Sequence, residues 1–155
     1  MKIVSWNVRG LGNPIKKKVT VKGALRKLKA DIVLIQESKL SSVDGATIRE
    51  VWKVNRCGWI SVDAQGTAGG LISMWCSKSV VMEDSWNGKF SSSVVVKDVG
   101  LGYSWVVTNV YGPNDARLRD EFWAELEDVR NRWDLPWCVG GDFHVIRFSH
   151  EKRGG

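Results

Sequence analysis

Four polar residues stand where strand-like runs end. Asn7 follows Ile3 to Trp6, Glu37 follows Ile32 to Gln36, Tyr111 closes Val106 to Tyr111, and Asp142 follows Trp137-Cys138-Val139-Gly140-Gly141. Open α/β sheets bind their ligands at such strand ends, and glycines just before a carboxylate let backbone approach closely. Asn7, Glu37 and Asp142 offer the oxygen donors that suit Mg²⁺, which takes one or two carboxylates and keeps waters for a substrate. A cation held in this way polarises a phosphoryl oxygen and stabilises the leaving group of an in-line displacement. The Tyr111 hydroxyl can donate to a non-bridging phosphate oxygen. Each residue also has a plain structural use: Asn7 as a loop cap, Glu37 as partner of a surface lysine, Tyr111 at the rim of the core, Asp142 in a Gly-Gly-Asp turn.

The elements that must position these groups can be read from periodicity. Lys2 to Val8 is rich in β-branched and aromatic residues and predicts a strand. After the loop Arg9-Gly10-Leu11-Gly12-Asn13-Pro14, the stretch Ile15 to Lys29 predicts a helix, with Ile15, Val19, Ala24, Leu25 and Leu28 as its apolar face. Ile32 to Ile35 reads as a strand buried on both faces. Strand, helix and strand over this length predict a parallel β-α-β unit. Ser42 to Val54 is a weaker helix candidate, with Ile48, Val51 and Trp52 inward.

Trp59–Val62, Gly70–Trp75, Val80–Trp86, Ser93–Val99 and Tyr103–Tyr111 then give strand-like runs between turn residues, predicting an antiparallel meander. Asn87-Gly88 is a hairpin signal. Asp115 can cap a helix from Ala116 to Trp133, with Leu118, Phe122, Leu126 and Val129 as its buried stripe. The strand ending at Asp142 follows. The whole reads as one α/β domain of mixed parallel and antiparallel strands, spanning residues 1–155.

A chain of 155 residues with 43% hydrophobic content is long enough for one real core and too short for two domains. The net charge of +6 points to an acidic partner, nucleic acid first and an anionic membrane surface second. Cys57, Cys76 and Cys138 are odd in number and lack metal-site spacing, which predicts free thiols in a reducing compartment. Cys76 and Cys138 lie in apolar runs expected to be buried. The opening run is too short for a signal peptide, and no run approaches a membrane-spanning length. The expectation is an intracellular protein, nuclear or cytoplasmic.

The words around the four polar residues are Ser5-Trp6-Asn7-Val8-Arg9-Gly10, Leu34-Ile35-Gln36-Glu37, Asn109-Val110-Tyr111-Gly112-Pro113-Asn114 and Gly140-Gly141-Asp142-Phe143. In this order they resemble the endonuclease/exonuclease/phosphatase superfamily, with its DNase I-like fold. More narrowly, with Ala68 to Trp75 and Val145 to Lys152, the chain is similar to endonuclease domains of plant LINE-type (non-LTR) retrotransposons. The resemblance implies a four-layer α/β/β/α sandwich and Mg²⁺-dependent phosphodiester hydrolysis, with Mn²⁺ as an alternative ion. It makes Glu37 and Asn7 the metal pair, Tyr111 the phosphate-holding tyrosine and Asp142 the residue that orients the attacking water. DNA is the implied partner, with Arg9, Lys16, Lys17, Lys18 and Asn114 as candidate contacts. Phosphatases acting on lipid head groups belong to the same superfamily, but the basic charge and the retroelement wording favour nucleic acid.

Two departures from the family pattern bear on activity. His144 stands where the family word Gly-Asp-Phe-Asn has its Asn, so it would have to supply that donor to the scissile phosphate. Losing one preorganised donor costs roughly 10²–10³ in rate by analogy with oxyanion holes. The family's later Ser-Asp-His word, with its general-base histidine, is not found up to Gly155, and His150 does not stand in for it. The expectation is therefore a sandwich incomplete at its C-terminal side, with uncovered sheet edges that favour marginal stability or self-association. Two functional readings stay open: a DNA-nicking phosphodiesterase, and an inactive remnant that at most binds nucleic acid.

Overall fold

The computed structural model describes residues 1–11, 15–52, 56–65 and 69–143. The elements run β1 (Ile3–Asn7), α1 (Ile15–Leu28), β2 (Ile32–Gln36), α2 (Gly45–Val51), β3 (Cys57–Val62), β4 (Leu71–Cys76), β5 (Val80–Asn87), β6 (Ser91–Asp98), β7 (Ser104–Tyr111), a single 3₁₀ turn (Ala116–Leu118), α3 (Arg119–Arg132) and β8 (Trp137–Asp142). The strands form two four-stranded sheets, in the orders β1-β2-β4-β3 and β5-β6-β7-β8. β1 and β2 are parallel, as the β-α-β reading requires. β7 and β8 are also parallel, and the other neighbours are antiparallel.

Alternation along the strands divides the apolar residues among separate cores. Val33, Ile35, Ile72 and Met74 face α1 and α2, meeting Val21, Leu25, Ile48, Val51 and Trp52. Ile32, Leu34 and Trp75 point the other way and pack between the sheets against Val94, Val96 and Val107. Phe90, Val110, Phe122 and Leu126 form the core beneath α3. Helices, sheet, sheet and helix therefore stack as four layers, the expected α/β/β/α sandwich.

Four expectations need correction. The five strand-like runs do not make one meander: β3 and β4 join the first sheet beside β2, and only β5 to β7 form an antiparallel meander in the second. Among the described residues the buried stripe of α1 is Val21 and Leu25, whereas Val19 is 65% and Leu28 42% exposed, and the side chain of Ile15 lies outside the described residues. Val21 and Leu25, four residues apart, lie on one face of the helix and reach the core of the first sheet. Cys76, Cys138 and β8 as a whole are half-buried rather than buried, as suits residues near sheet margins. The third helix begins one turn later than the capping signal alone suggests. Asp115 caps the 3₁₀ turn, accepting from the Arg117 N–H at 2.9 Å, and α3 continues from it with Phe122, Leu126 and Val129 buried.

Gly23 sits exposed in α1, and a Cβ built on it meets nothing within 4 Å. Glycine in a helix interior costs about 1 kcal/mol relative to alanine. Gly23→Ala is thus expected to raise the melting temperature by roughly 2–4 °C, read by circular dichroism.

Candidate functional site

The strand registers bring the four predicted residues to one end of the sandwich. Asn7 lies opposite Gln36 in the parallel β1–β2 pair, one residue before Glu37. Tyr111 lies opposite Asp142 in the parallel β7–β8 pair. Contact between the edge strands β1 and β8 closes the set across the two sheets. The Asn7 Nδ2 donates to Asp142 Oδ2 at 3.0 Å, joining residues 135 positions apart. The Asn7 Oδ1 accepts the Arg9 N–H at 3.1 Å, so the loop-cap reading and the site reading both hold for this side chain.

Glu37 leaves β2 in the left-handed region, at φ +58°, and Arg9 and Lys39 share that conformation at +53° and +57°. Such backbone costs non-glycine residues about 1–3 kcal/mol each and persists where surrounding bonds over-determine it. Those bonds are present on both sides. Gly10 N–H donates to Glu37 O at 2.7 Å and Leu11 N–H to Ser38 O at 2.9 Å, while Ser38 N–H donates to Gly70 O at 3.1 Å and Lys39 N–H to Gly69 O at 2.9 Å. The reversal turns the Glu37 carboxylate towards Tyr111. The Lys39 ammonium also approaches Glu37 Oε1, at 3.5 Å, so Glu37 has the lysine partner of its plain reading as well.

Tyr111 hydrogen-bonds to Glu37, and its hydroxyl pKa is raised by partial burial first, then by the negative charges of Glu37 and Asp142 and by that bond. Tyr111 is therefore a protonated donor at neutral pH. This has a consequence for stability. Tyrosine in the unfolded chain ionises near 10.0, whereas the folded chain holds the Tyr111 proton to higher pH. The stabilisation is complete below the unfolded value and is lost as pH rises through the folded one. Urea melts of wild type and Tyr111→Phe between pH 9 and 11 are expected to differ in slope on the alkaline side, the wild type falling more steeply.

Beneath the site lies a polar network that the strand pattern did not single out. Gln36 and Asn109 are 1% and 0% exposed. Gln36 Nε2 donates to Asn109 Oδ1 at 2.8 Å and to Ser5 Oγ at 3.1 Å. Asn109 Nδ2 donates to Ile35 O at 3.0 Å and Ile72 O at 3.1 Å. These bonds tie the sheets together directly below Glu37 and Tyr111. The available signal was an amide interrupting each aliphatic run, Ile35-Gln36 and Thr108-Asn109-Val110. Lys39 was missed as well, its signal being a lysine two residues past the key carboxylate.

The candidate nucleic-acid contacts are more scattered. Arg9 is exposed beside Asn7, and Asn114 is exposed in the turn after Tyr111. Lys17 is half-buried on α1, and Lys18 is engaged with Glu50 at 2.7 Å. The side chain of Lys16, and His144 and His150, lie outside the described residues. A cleft of about 320 Å³ opens beside Tyr111, with Val62 and Leu71 from the first sheet on one wall and Lys89 and Phe90 on the other. Glu125 of α3 braces that second wall, accepting the Lys89 N–H at 2.7 Å and the Ser91 hydroxyl at 2.6 Å.

Glu37, Asp142 and Asn7 make an oxygen-only donor set with two carboxylates, which fits a hard cation such as Mg²⁺. Among the described residues no group of three or more His, Cys, Asp or Glu stands together as a metal site.

No family model matches the chain, and no curated protein matches it in sequence. Solved structures do match. An endonuclease/exonuclease/phosphatase protein from Bacteroides vulgatus aligns over 97% of this chain and 67% of its own, at 17% identity and TM-score 0.70. The human Nocturnin catalytic domain with bound sulfate aligns over 92% and 64%, at 12% identity and 0.69. D. rerio TDP2 in complex with a single-strand DNA product aligns over 99% and 64%, at 16% identity and 0.64. These likenesses define the fold as DNase I-like, the architecture of endonuclease/exonuclease/phosphatase proteins. The chain spans about two thirds of the length of these structures. Among the described residues, no helix is long and apolar enough to cross a membrane.

Proposed function

We propose that this chain is a Mg²⁺-dependent phosphodiesterase of nucleic acid, a DNA-nicking domain of the kind carried by LINE-type retroelements. The observation that carries the reading is the Asn7–Asp142 hydrogen bond, which joins the ends of two sheets into one acidic site beside Glu37 and Tyr111. The net charge of +6 favours a polyanionic substrate, and a structural neighbour, D. rerio TDP2, is known in complex with a single-strand DNA product.

Glu37, Asp142 and Asn7 would hold the Mg²⁺, with Mn²⁺ as a substitute; the bound ion supplies polarisation of the phosphoryl group and stabilises the developing charge. Tyr111, kept protonated, donates to a non-bridging oxygen once a phosphate competes with Glu37 for its hydroxyl. Asp142, oriented through Asn7, accepts a hydrogen bond from the attacking water and aligns it with phosphorus. His144, two residues on, is the candidate second phosphate donor, and Arg9, Lys16, Lys17, Lys18 and Asn114 are candidate contacts to the flanking strand.

A supercoiled plasmid incubated with the chain and Mg²⁺ is expected to relax to open circle, and to stay supercoiled in EDTA. Binding to a fluorescent duplex should weaken steeply with salt, because phosphate contacts release counterions. Salt-dependent binding with no nicking in either Mg²⁺ or Mn²⁺ would favour the inactive-remnant reading.

A further inference from the structure

Cys57 opens β3 and Cys76 closes β4, and the antiparallel register sets them directly opposite each other. The hydrogen bonding around them fixes the kind of pair. The Cys76 N–H donates to Asp31 O at 2.9 Å, on the β2 side, whereas the next pair is bonded through Ser77 N–H to Arg56 O at 3.0 Å. Cys57 and Cys76 are thus a non-hydrogen-bonded pair, for which the Cα atoms stand roughly 4.5 Å apart. That separation lies within the range of about 4.4–6.8 Å that a disulfide spans. Both side chains pack against the helix-covered core of the first sheet, so the sulfurs share one face. Cys138 packs against the core between the sheets and has no access to them.

We propose that Cys57 and Cys76 are a cross-strand dithiol that a peroxide converts to a disulfide, a modification site at the opposite end of the first sheet from Glu37. Burial pushes the Cys57 thiol up to about 11, with the Cys76 sulfur adding to the shift, so Cys57 is a poor first nucleophile. The Cys76 thiol gives up its proton and its sulfur attacks one peroxide oxygen, an S–O bond forms, the O–O bond breaks, and the hydroxide that leaves takes up the released proton as water. The Cys57 sulfur then attacks the Cys76 sulfur and loses its proton, the S–S bond forms and the S–O bond breaks with release of a second water. Two thiols and one hydrogen peroxide thus give one disulfide and two waters. The bridge fastens the edge strand β3 to β4 and closes the chain between them.

The test treats the folded full chain with limiting hydrogen peroxide and follows thiol count, intact mass and peptide maps. Titratable thiols are expected to fall from three to one, with a mass lower by two hydrogens and a mapped Cys57–Cys76 link. Cys138→Ser should behave the same way, and Cys57→Ser and Cys76→Ser should form no internal bridge. The bridged form should melt about 5–10 °C above the reduced one. The proposal is overturned if the folded chain gains oxygen at Cys57 or Cys76 in place of a bridge. It is equally overturned if the link maps to Cys138, or forms only after unfolding in urea.

Discussion

Glu37→Gln is expected to reduce Mg²⁺-dependent plasmid nicking by about 10³-fold while leaving the fold intact. The size follows from the charge. A carboxylate that holds a phosphoryl-activating cation supports several kcal/mol of transition-state stabilisation, and each 1.36 kcal/mol is about a tenfold change in rate. The fold should survive because glutamine keeps an oxygen for the Tyr111 hydroxyl and an amide of similar length. The pairing with Lys39 at 3.5 Å, both groups partly solvated, contributes little to stability. Asp142→Asn should show the same loss, since its amide oxygen can still accept from Asn7 Nδ2. Asn7→Ala should cost less, about 10–100-fold, because the amide oxygen it would lend the cation is neutral and its other task is to orient Asp142 through the Nδ2 hydrogen bond. Gel densitometry of initial rates, with a thermal melt of each variant, checks all three. Nicking by Glu37→Gln at the wild-type rate would place the activity elsewhere on the chain or in a contaminant.

The positions of these groups were legible because each interrupts or ends an apolar run. A polar residue inside an aliphatic stretch is a local signal, and Asn7, Glu37, Tyr111 and Asp142 all carry it. What the local pattern does not hold is which strand pairs with which. β3 and β4 alternate much as β5 to β7 do, yet they belong to the other sheet, because Leu71 to Trp75 finds its partner in β2. That pairing is long-range, and no spacing within either run encodes it. The same limit explains Gln36 and Asn109. Only the stacking of the sheets shows that one amide satisfies the other at 2.8 Å. Helix facing was misjudged for a related reason. Val19 and Val21 are chemically equal, and the sheet beneath α1 takes Val21. Lys39 is legible only through its backbone, whose left-handed turn follows from the bond of its N–H to Gly69 O.

Gly141→Ala is expected to destabilise the chain by at least about 3 kcal/mol, a fall in melting temperature of roughly 6–12 °C. Gly141 holds φ +136°, a conformation that side-chain-bearing residues rarely adopt, and a Cβ there would fall 2.1 Å from the Val110 carbonyl oxygen. Val110 is buried in β7 and lies opposite Gly141 in the parallel pair, so the obstacle is backbone that cannot rotate aside. Relief requires β8 to peel away from β7 at its last residues, which are those that set Asp142 against Tyr111 and Asn7. Nicking should therefore fall even at temperatures where the variant remains folded, separating this change from simple loss of stability. Gly140→Ala is the control one residue away. Its Cβ would meet the Leu34 Cδ1 at 3.0 Å, the end of a side chain that can shift, and the cost should be about 1 kcal/mol. If both alanines melt alike, β8 is not locked at Gly141 and the close approach before Asp142 is not what positions the carboxylate. If only Gly141→Ala loses both stability and nicking, the glycine pair has distinct tasks, Gly140 accommodating Leu34 and Gly141 setting the direction of Asp142.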